Sequence, residues 1–189
     1  MKINGRLIVF TLVLVVLAAA CKYWFGPNLN WSGFSPVIAV ALFSGMILKQ
    51  KDISFIFPLA ALLLSDLVVQ LLYEQNMFPY PGFYSGQWKN YAILLLAGTL
   101  TGWIIKGRSY KSLVLGGIAA PTVFFLVSNF NVWLSQEVVY SRDFSGLVNC
   151  YEAALPFYRN SLVATLVFLP VILFSYNYLT RQKAALIIA

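Results

Sequence analysis

The sequence contains no histidine, and only 10% of its residues are charged. Soluble globular chains carry about 25% charged residues, so this depletion argues against a soluble domain. The two cysteines, Cys21 and Cys150, are far apart in the chain and form no CxxC or Cys/His pattern. Because metal centres built from these residues need such spacings, we expect no metal and no other cofactor.

Motifs for catalysis are also missing. The sequence has no phosphate-binding P-loop, no GxSxG elbow and no histidine to act as a general base. We therefore expect that the chain is not an enzyme and does not hydrolyse ATP by itself. The net charge is +7, but the basic residues are scattered between apolar runs, so we expect no nucleic-acid partner.

Apolar residues are abundant instead, at 60% of the sequence, with a mean hydropathy of +0.79. Repeated apolar runs of nearly twenty residues predict an all-α, polytopic membrane bundle in which 1–189 form a single transmembrane domain. We predict six transmembrane helices, at about 7–25, 36–49, 53–73, 89–106, 112–136 and 159–180. The lipid bilayer would surround this bundle.

The first apolar run could also be read as a signal peptide, even a lipoprotein signal ending at Cys21. A lipoprotein signal normally has a large aliphatic residue three positions before the cysteine, where this sequence has Ala18. We therefore interpret the run as the first membrane helix.

The distribution of lysine and arginine predicts the orientation. Cytoplasmic segments of membrane proteins carry an excess of basic residues. If the N-terminus is inside, most basic residues fall on the inner side, namely Lys2, Arg6, Lys49, Lys51, Lys106, Arg108, Lys111, Arg181 and Lys183. The outer segments hold Lys22, Lys89, Arg142 and Arg159. Both termini are thus predicted to be cytoplasmic.

Polar residues gather in the outer part of three predicted helices. In FPLAALLLSDLVVQLLY, Asp66 is followed on the same helix face by Gln70 and Tyr73. The fifth and sixth helices bring Asn129, Asn131, Trp133, Tyr158 and Asn160 to a comparable depth. Because polar groups facing lipid are costly, we predict that these side chains line a pocket open to the outside. The alternative is a structural network in which Asp66 binds an Asn, a Ser or Arg159.

An aromatic outer loop, NMFPYPGFYSGQWKN, follows the third helix and includes Tyr84 and Trp88. Its rings suit a flat organic ligand and could gate the pocket. The alternative is that they form the interfacial aromatic belt found in membrane proteins.

Small residues and the two cysteines suggest contacts between helices. The pairs Ala41/Gly45 and Gly98/Gly102 form small-xxx-small faces, which allow close approach within the bundle or to a partner subunit. Cys21 and Cys150 fall on the same outer side, so a disulfide bond between them is possible.

Three blocks carry a resemblance to a known family. They are SPxxAxALFxG from Ser35, PLxxxLLSDL from Pro58, and GLxxCYxAALPFxRN from Gly146. With them, the chain from Asn30 to about Phe168 resembles an uncharacterised family of six-helix bacterial membrane transport proteins. The resemblance implies a location in the bacterial inner membrane.

That family is similar in size and layout to the S-components of energy-coupling-factor vitamin transporters. The similarity implies capture of a vitamin-like nutrient from outside and a partner module driven by an ATPase. S-components often dock through an AxxxA face on the first helix, but this helix reads LIVFTLVLVV. Docking would then use Ala41/Gly45 or Gly98/Gly102.

The sequence therefore supports three functional interpretations. The leading one is a substrate-binding, S-component-like subunit that captures a small organic nutrient near Asp66. The second is an accessory or structural subunit of a larger inner-membrane complex. The third is a secondary transporter in which Asp66 exchanges a proton.

Overall fold

A computed structural model describes residues 5–28, 30–48, 50–107, 109–135 and 140–180. Within these ranges the chain forms six helices. They are α1 (Gly5–Phe25), α2 (Val37–Ile47), α3 (Lys51–Glu74), α4, α5 (Tyr110–Leu134) and α6 (Phe144–Thr180). Helix α4 is continuous and consists of Gln87–Leu95, a π-helical turn at Leu96–Leu100, and Thr101–Ile105.

The first five helices were predicted to within two residues at each end, but the predicted start of the sixth is wrong. Helix α6 begins at Phe144, well before the expected start near 159. The segment before 159 contains polar residues and is not a continuous apolar run. Its buried residues, Gly146, Cys150 and Ala154, recur every four positions, which is a helical period.

Three of these helices are long and apolar enough to cross a membrane within the part of the chain that the structure describes. They are Lys51–Glu74, Tyr110–Leu134 and Phe144–Leu179, while Val9–Phe25 and Val37–Ile47 are apolar but shorter. Large apolar side chains such as Val16 and Ile104 are exposed on the outer faces of the helices. Six spans, and the inner position of the termini, stay predictions. The inner basic residues Lys2, Lys49, Arg108, Arg181 and Lys183 lie outside the described residues.

Helix α2 lies at the centre of the bundle. Every residue from Val37 to Met46 is buried, and α2 contacts α3, α4, α5 and α6. A helix that is apolar all round is expected inside a protein and not at its surface. The core around it contains Phe10, Leu42 and Phe43, with Leu169 and Ile172 from α6.

Helices α2 and α4 approach closely through small residues. A Cβ atom on Gly98 would lie 2.5 Å from the Cβ of Ala41, and one on Gly102 would lie 2.8 Å from the Cα of Gly45. These four residues, which the sequence suggested for packing or for a partner, are thus occupied by contacts within the chain. The π-helical turn lies at this contact, since a Cβ on Gly45 would collide with the carbonyl oxygen of Thr99.

The start of α6 is fixed by an acidic side chain. Asp143 Oδ1 accepts hydrogen bonds from the Gly146 amide and the Ser141 hydroxyl, each at 2.7 Å. This is the arrangement of a helix N-cap. The Gly146 N–H, and then the Ser141 hydroxyl, lower the pKa of Asp143 below its ordinary value.

The close α2–α4 contact predicts the effect of adding one methyl group. We expect Gly102→Ala to destabilise the protein by about 2 kcal/mol, because its Cβ would meet backbone atoms of Leu42 and Met46 that cannot rotate away. Gly116→Ala is the matched control, since its Cβ would meet only the Leu42 methyl carbons at 3.3 Å and the Met46 sulfur at 3.6 Å. Unfolding of the detergent-solubilised protein by sodium dodecyl sulfate, followed by circular dichroism, measures both. Equal effects would contradict the packing argument.

The Asp143 cap predicts a pH dependence. Because the pKa of Asp143 is lowered by folding, its stabilising effect is present above the unfolded pKa of about 4 and is lost as the pH falls through the folded value. Asp143→Asn keeps an acceptor oxygen but does not titrate. The difference in unfolding free energy between wild type and Asp143→Asn should therefore be smaller at about pH 3 than at about pH 6. A difference that is the same at both values would count against this role.

Candidate functional site

Asp66 in α3 forms an ion pair with Lys22 in α1. Lys22 Nζ contacts Asp66 Oδ1, and the two side chains are only 22% and 9% exposed. Lys22 also donates a hydrogen bond to Ser65 Oγ at 2.7 Å. An isolated buried charge costs several kcal/mol, so each group makes the position of the other tolerable.

The second oxygen of Asp66 is held by α4. Oδ2 accepts hydrogen bonds from Gln87 Nε2 at 2.8 Å and from the Tyr91 hydroxyl. Gln87 Nε2 also lies 2.8 Å from the Tyr91 hydroxyl oxygen. Three helices, α1, α3 and α4, therefore meet at one carboxylate.

The aromatic loop is attached to the same helices. Gln70 Oε1 accepts hydrogen bonds from the Gly82 amide at 3.0 Å and the Phe83 amide at 3.3 Å, and Gln87 Nε2 donates to the Gly82 carbonyl at 3.0 Å. Gly82 lies directly on α3, where any Cβ would collide with the Asp66 carbonyl oxygen. Only glycine fits this contact, and it brings the loop to the ion pair.

Phe78 and Tyr80 fasten the loop to the end of α1. The Phe78 ring lies 5.9 Å from the Tyr23 ring and 4.5 Å from the Tyr80 ring, measured between centroids. Burial, and then the Asp66 carboxylate, raise the pKa of the Tyr80 phenol, so this group is uncharged at neutral pH.

A cavity of about 520 Å³ lies between these elements. Its wall is formed by α1, α3 and α4, by the start of α2 and the segment before it, by the aromatic loop and by parts of α5 and α6. Its polar lining includes Lys22, Ser32, Ser35, Asp66, Tyr80, Tyr84, Gln87, Asn90, Tyr91, Ser128 and Ser161. Its apolar lining includes Val37, Ile38, Leu62, Val69, Leu94, Phe124 and Val132.

Ser35 is the unusual polar group of this wall. Its hydroxyl oxygen is buried and has no hydrogen-bond partner in the protein. Buried polar groups are nearly always paired with protein or with water, so this hydroxyl would gain a partner if the wall moved enough for a bound molecule to reach it.

Of the residues predicted from helix α3 and the loop, the structure brings Asp66 and Tyr84 to the cavity. Gln70 does not line the cavity but accepts hydrogen bonds from the Gly82 and Phe83 amides of the loop. Tyr73 and Trp88 are exposed, Trp88 at 69%, and neither lines the cavity.

The predicted residues of α5 and α6 do not line the cavity. Asn131 is half-buried. The Asn129 amide donates a hydrogen bond to the Phe125 carbonyl, and the Trp133 indole N–H donates one to the Ser141 carbonyl. The hydroxyl of Tyr158 is hydrogen-bonded to the hydroxyl of Thr122. The Asn160 amide donates to the Asn30 and Ser32 carbonyls, each at 2.8 Å, and so fixes the segment before α2. These two helices reach the cavity through other residues, chiefly Phe124, Ser128, Val132 and Ser161.

Sequence reasoning missed Lys22, Ser35, Gln87 and Tyr91. For Lys22 a signal was present, because it is a lone basic residue in the last turn of the first helix, at about the predicted depth of Asp66. An acid within an apolar helix needs a partner of opposite charge, and Lys22 on the first helix was such a candidate at a similar predicted depth. Arg159, which was considered as that partner, is exposed and hydrogen-bonds to Asn160 and the Asn30 carbonyl.

The two cysteines are not bonded to each other. Cys21 and Cys150 are both buried free thiols. Cys150 Sγ donates to the carbonyl oxygen of Asn129 at 3.5 Å, which places it between α6 and α5. The disulfide bond that the sequence allowed is absent from this structure.

A model of a family of unknown function, DUF6580, matches residues 1–186. The chain belongs to this family. No curated protein and no solved structure matches it, so these comparisons do not support a similarity to S-components.

In this DUF6580 protein, the ion pair predicts a stability pattern for charge removal. We expect Lys22→Met or Asp66→Asn alone to cost about 2–4 kcal/mol, because each leaves one buried charge or several buried donors without a partner. The double variant should recover part of the loss. Denaturant unfolding in detergent for all four proteins gives the coupling energy. Simply additive losses would show that the two groups do not interact.

Proposed function

We propose that this protein is a membrane-embedded binding subunit that captures a small organic nutrient in the cavity beside Lys22 and Asp66. The observation that carries the proposal is the cavity itself, whose lining surface is mainly apolar by area and includes polar groups fixed by hydrogen bonds. Pockets for small organic molecules typically have volumes of about 300–1,000 Å³ and this mixed character. The cavity of about 520 Å³ falls in that range.

The arrangement of the aromatic loop supports entry from one side. Tyr80, Pro81, Gly82 and Tyr84 contribute to the cavity wall, and the loop joins α3 to α4. By the positive-inside rule this side is external. A nutrient would then enter from outside, past the aromatic loop.

The proposal extends to an uptake system resembling that of S-components in the bacterial inner membrane. Its support is the size of the chain and its layout of six helices, three of which are long and apolar enough to cross a membrane. The protein would act without enzymatic activity and would hand its ligand to a partner module driven by an ATPase. Contact with that module would use a surface other than Ala41, Gly45, Gly98 and Gly102, since these residues pack against each other.

The test is whether the protein retains a small molecule. Protein purified from its native membrane in mild detergent is denatured, and the released molecules are identified by mass spectrometry. We expect a stoichiometric organic compound that binds again to the emptied protein. A protein that carries no small molecule but copurifies with a large membrane complex would instead be an accessory subunit.

Two valine variants on α5 give a matched comparison for this binding. Val132 lines the cavity, whereas Val127 is exposed on the outer surface of the helix. We expect Val132→Trp to weaken binding of the recovered compound by about tenfold or more, because the indole would fill part of the cavity. Val127→Trp should leave binding unchanged. Equal affinities in the two variants would place the ligand elsewhere.

The proton-transporter alternative is tested with the same protein. Asp66 contacts the donors of Lys22, Gln87 and Tyr91 and acts as an acceptor in each contact. Flux of the compound into vesicles that contain only this protein, driven by a pH gradient and lost in Asp66→Asn, would favour that alternative.

A further inference from the structure

The charges of the cavity wall cancel each other. Among the described residues that line the cavity, the charged side chains are Lys22 and Asp66, and they form an ion pair with each other. Tyr80 and Tyr91 contribute phenol hydroxyls, and Gln87 and Asn90 contribute amides. The wall therefore carries no net formal charge that a charged ligand could neutralise.

The Asp66 carboxylate has little capacity left for a ligand. Oδ1 is held by Lys22, and Oδ2 accepts from both Gln87 and Tyr91. A cationic ligand would have to displace one of these donors and would also face the Lys22 ammonium. Since like charges in a site of low dielectric repel strongly, a cation is disfavoured.

An anionic ligand meets the opposite difficulty. It could approach the Lys22 ammonium, but Asp66 already occupies that group and would repel a second negative charge. Breaking the pair to release Lys22 would leave Asp66 buried without its cation. The pair thus acts against ligands of either sign.

Hydrogen-bond donors are still available. The Ser35 hydroxyl is buried without a partner. The Lys22 ammonium has three N–H groups, and among the described residues it donates to two acceptors, Ser65 Oγ and Asp66 Oδ1. The third N–H of Lys22 would therefore donate to an acceptor atom of a ligand without disturbing the pair, and the Ser35 hydroxyl would join it once a ligand displaces the wall beside it.

We propose that the cavity selects an uncharged, mainly apolar or aromatic molecule that presents a hydrogen-bond acceptor such as a carbonyl oxygen, and that it rejects the corresponding acid and amine. The Ser35 hydroxyl and the free N–H of Lys22 bind the acceptor, while Leu62, Leu94 and Phe124 contact the apolar body. This inference rests on the proposed function, because it assigns a ligand class to the same cavity.

Matched probes that differ only in charge test the inference. One set is benzamide, benzoate and benzylamine, and another is indole-3-acetamide, indole-3-acetate and tryptamine. Binding of each to the detergent-solubilised wild type at about pH 7 is measured by isothermal titration calorimetry, because at this pH the acids and amines are charged. We expect the amides to bind about tenfold or more tightly than their acid and amine counterparts.

Single variants should shift this preference in opposite directions. Asp66→Asn leaves the Lys22 cation unpaired, so affinity for the acids should rise relative to the amides. Lys22→Gln leaves the Asp66 carboxylate unpaired, so affinity for the amines should rise. Ser35→Ala should weaken binding of the amides by about threefold to tenfold without changing the order of preference, because one donor is lost.

The order of affinities that the wild-type protein shows for the amides, acids and amines tests the inference even if a variant does not fold. A wild type that binds the acids or amines as well as the amides overturns this inference and leaves the proposed function standing. A wild type that binds no probe also overturns it, and the proposed function then depends on whether purified protein retains a compound. Variants that fold but keep the wild-type order would show that the ion pair does not set the preference.

Discussion

A carboxylate in the middle of an apolar helix must have its charge matched within the protein, and this requirement organises the structure around Asp66. The matching cation comes from α1, two further donors come from α4, and the aromatic loop reaches the same point through Gln87. Replacing such a network with apolar groups is often neutral or stabilising in other proteins. Stability alone therefore does not explain why the chain keeps this network.

The membrane environment accounts for the remainder of the fold. Helix α2 is almost wholly apolar and fully enclosed, whereas the outer helices expose apolar side chains on one face and bury apolar side chains, both large and small, on the other. Without a hydrophobic driving force between helices in lipid, close packing of small residues becomes a main source of association. The Gly98 and Gly102 contacts with α2 are of this kind.

The fold was largely predictable from the sequence, whereas the site was predictable only in part. Long apolar runs mark a helix wherever they occur, so the bounds of α1 to α5 could be read directly. Residues 144–158 could not be found in this way, because their helical period is carried by small residues among polar ones.

Asp66 and Tyr84 were identified because an acid in an apolar helix and an aromatic loop are local features. The partners of Asp66 depend on which helices touch, and rotation of α5 and α6 about their axes decides whether Ser128 or Asn129 faces the cavity. Periodicity within one helix does not contain that information.

Gln87 joins two parts of the molecule through a single amide group. Its nitrogen contacts both Asp66 and the Gly82 carbonyl, and its oxygen accepts the Tyr84 amide at 3.1 Å. Lifting the loop from α3 would break the bonds of Gln87 to Gly82 and Tyr84 together with those of Gln70, at about 1 kcal/mol for each bond. The Gln87 amide would then lose two of the partners that fix its orientation toward Asp66, so the position of the loop and the hydrogen bonding of the carboxylate are linked through this one side chain.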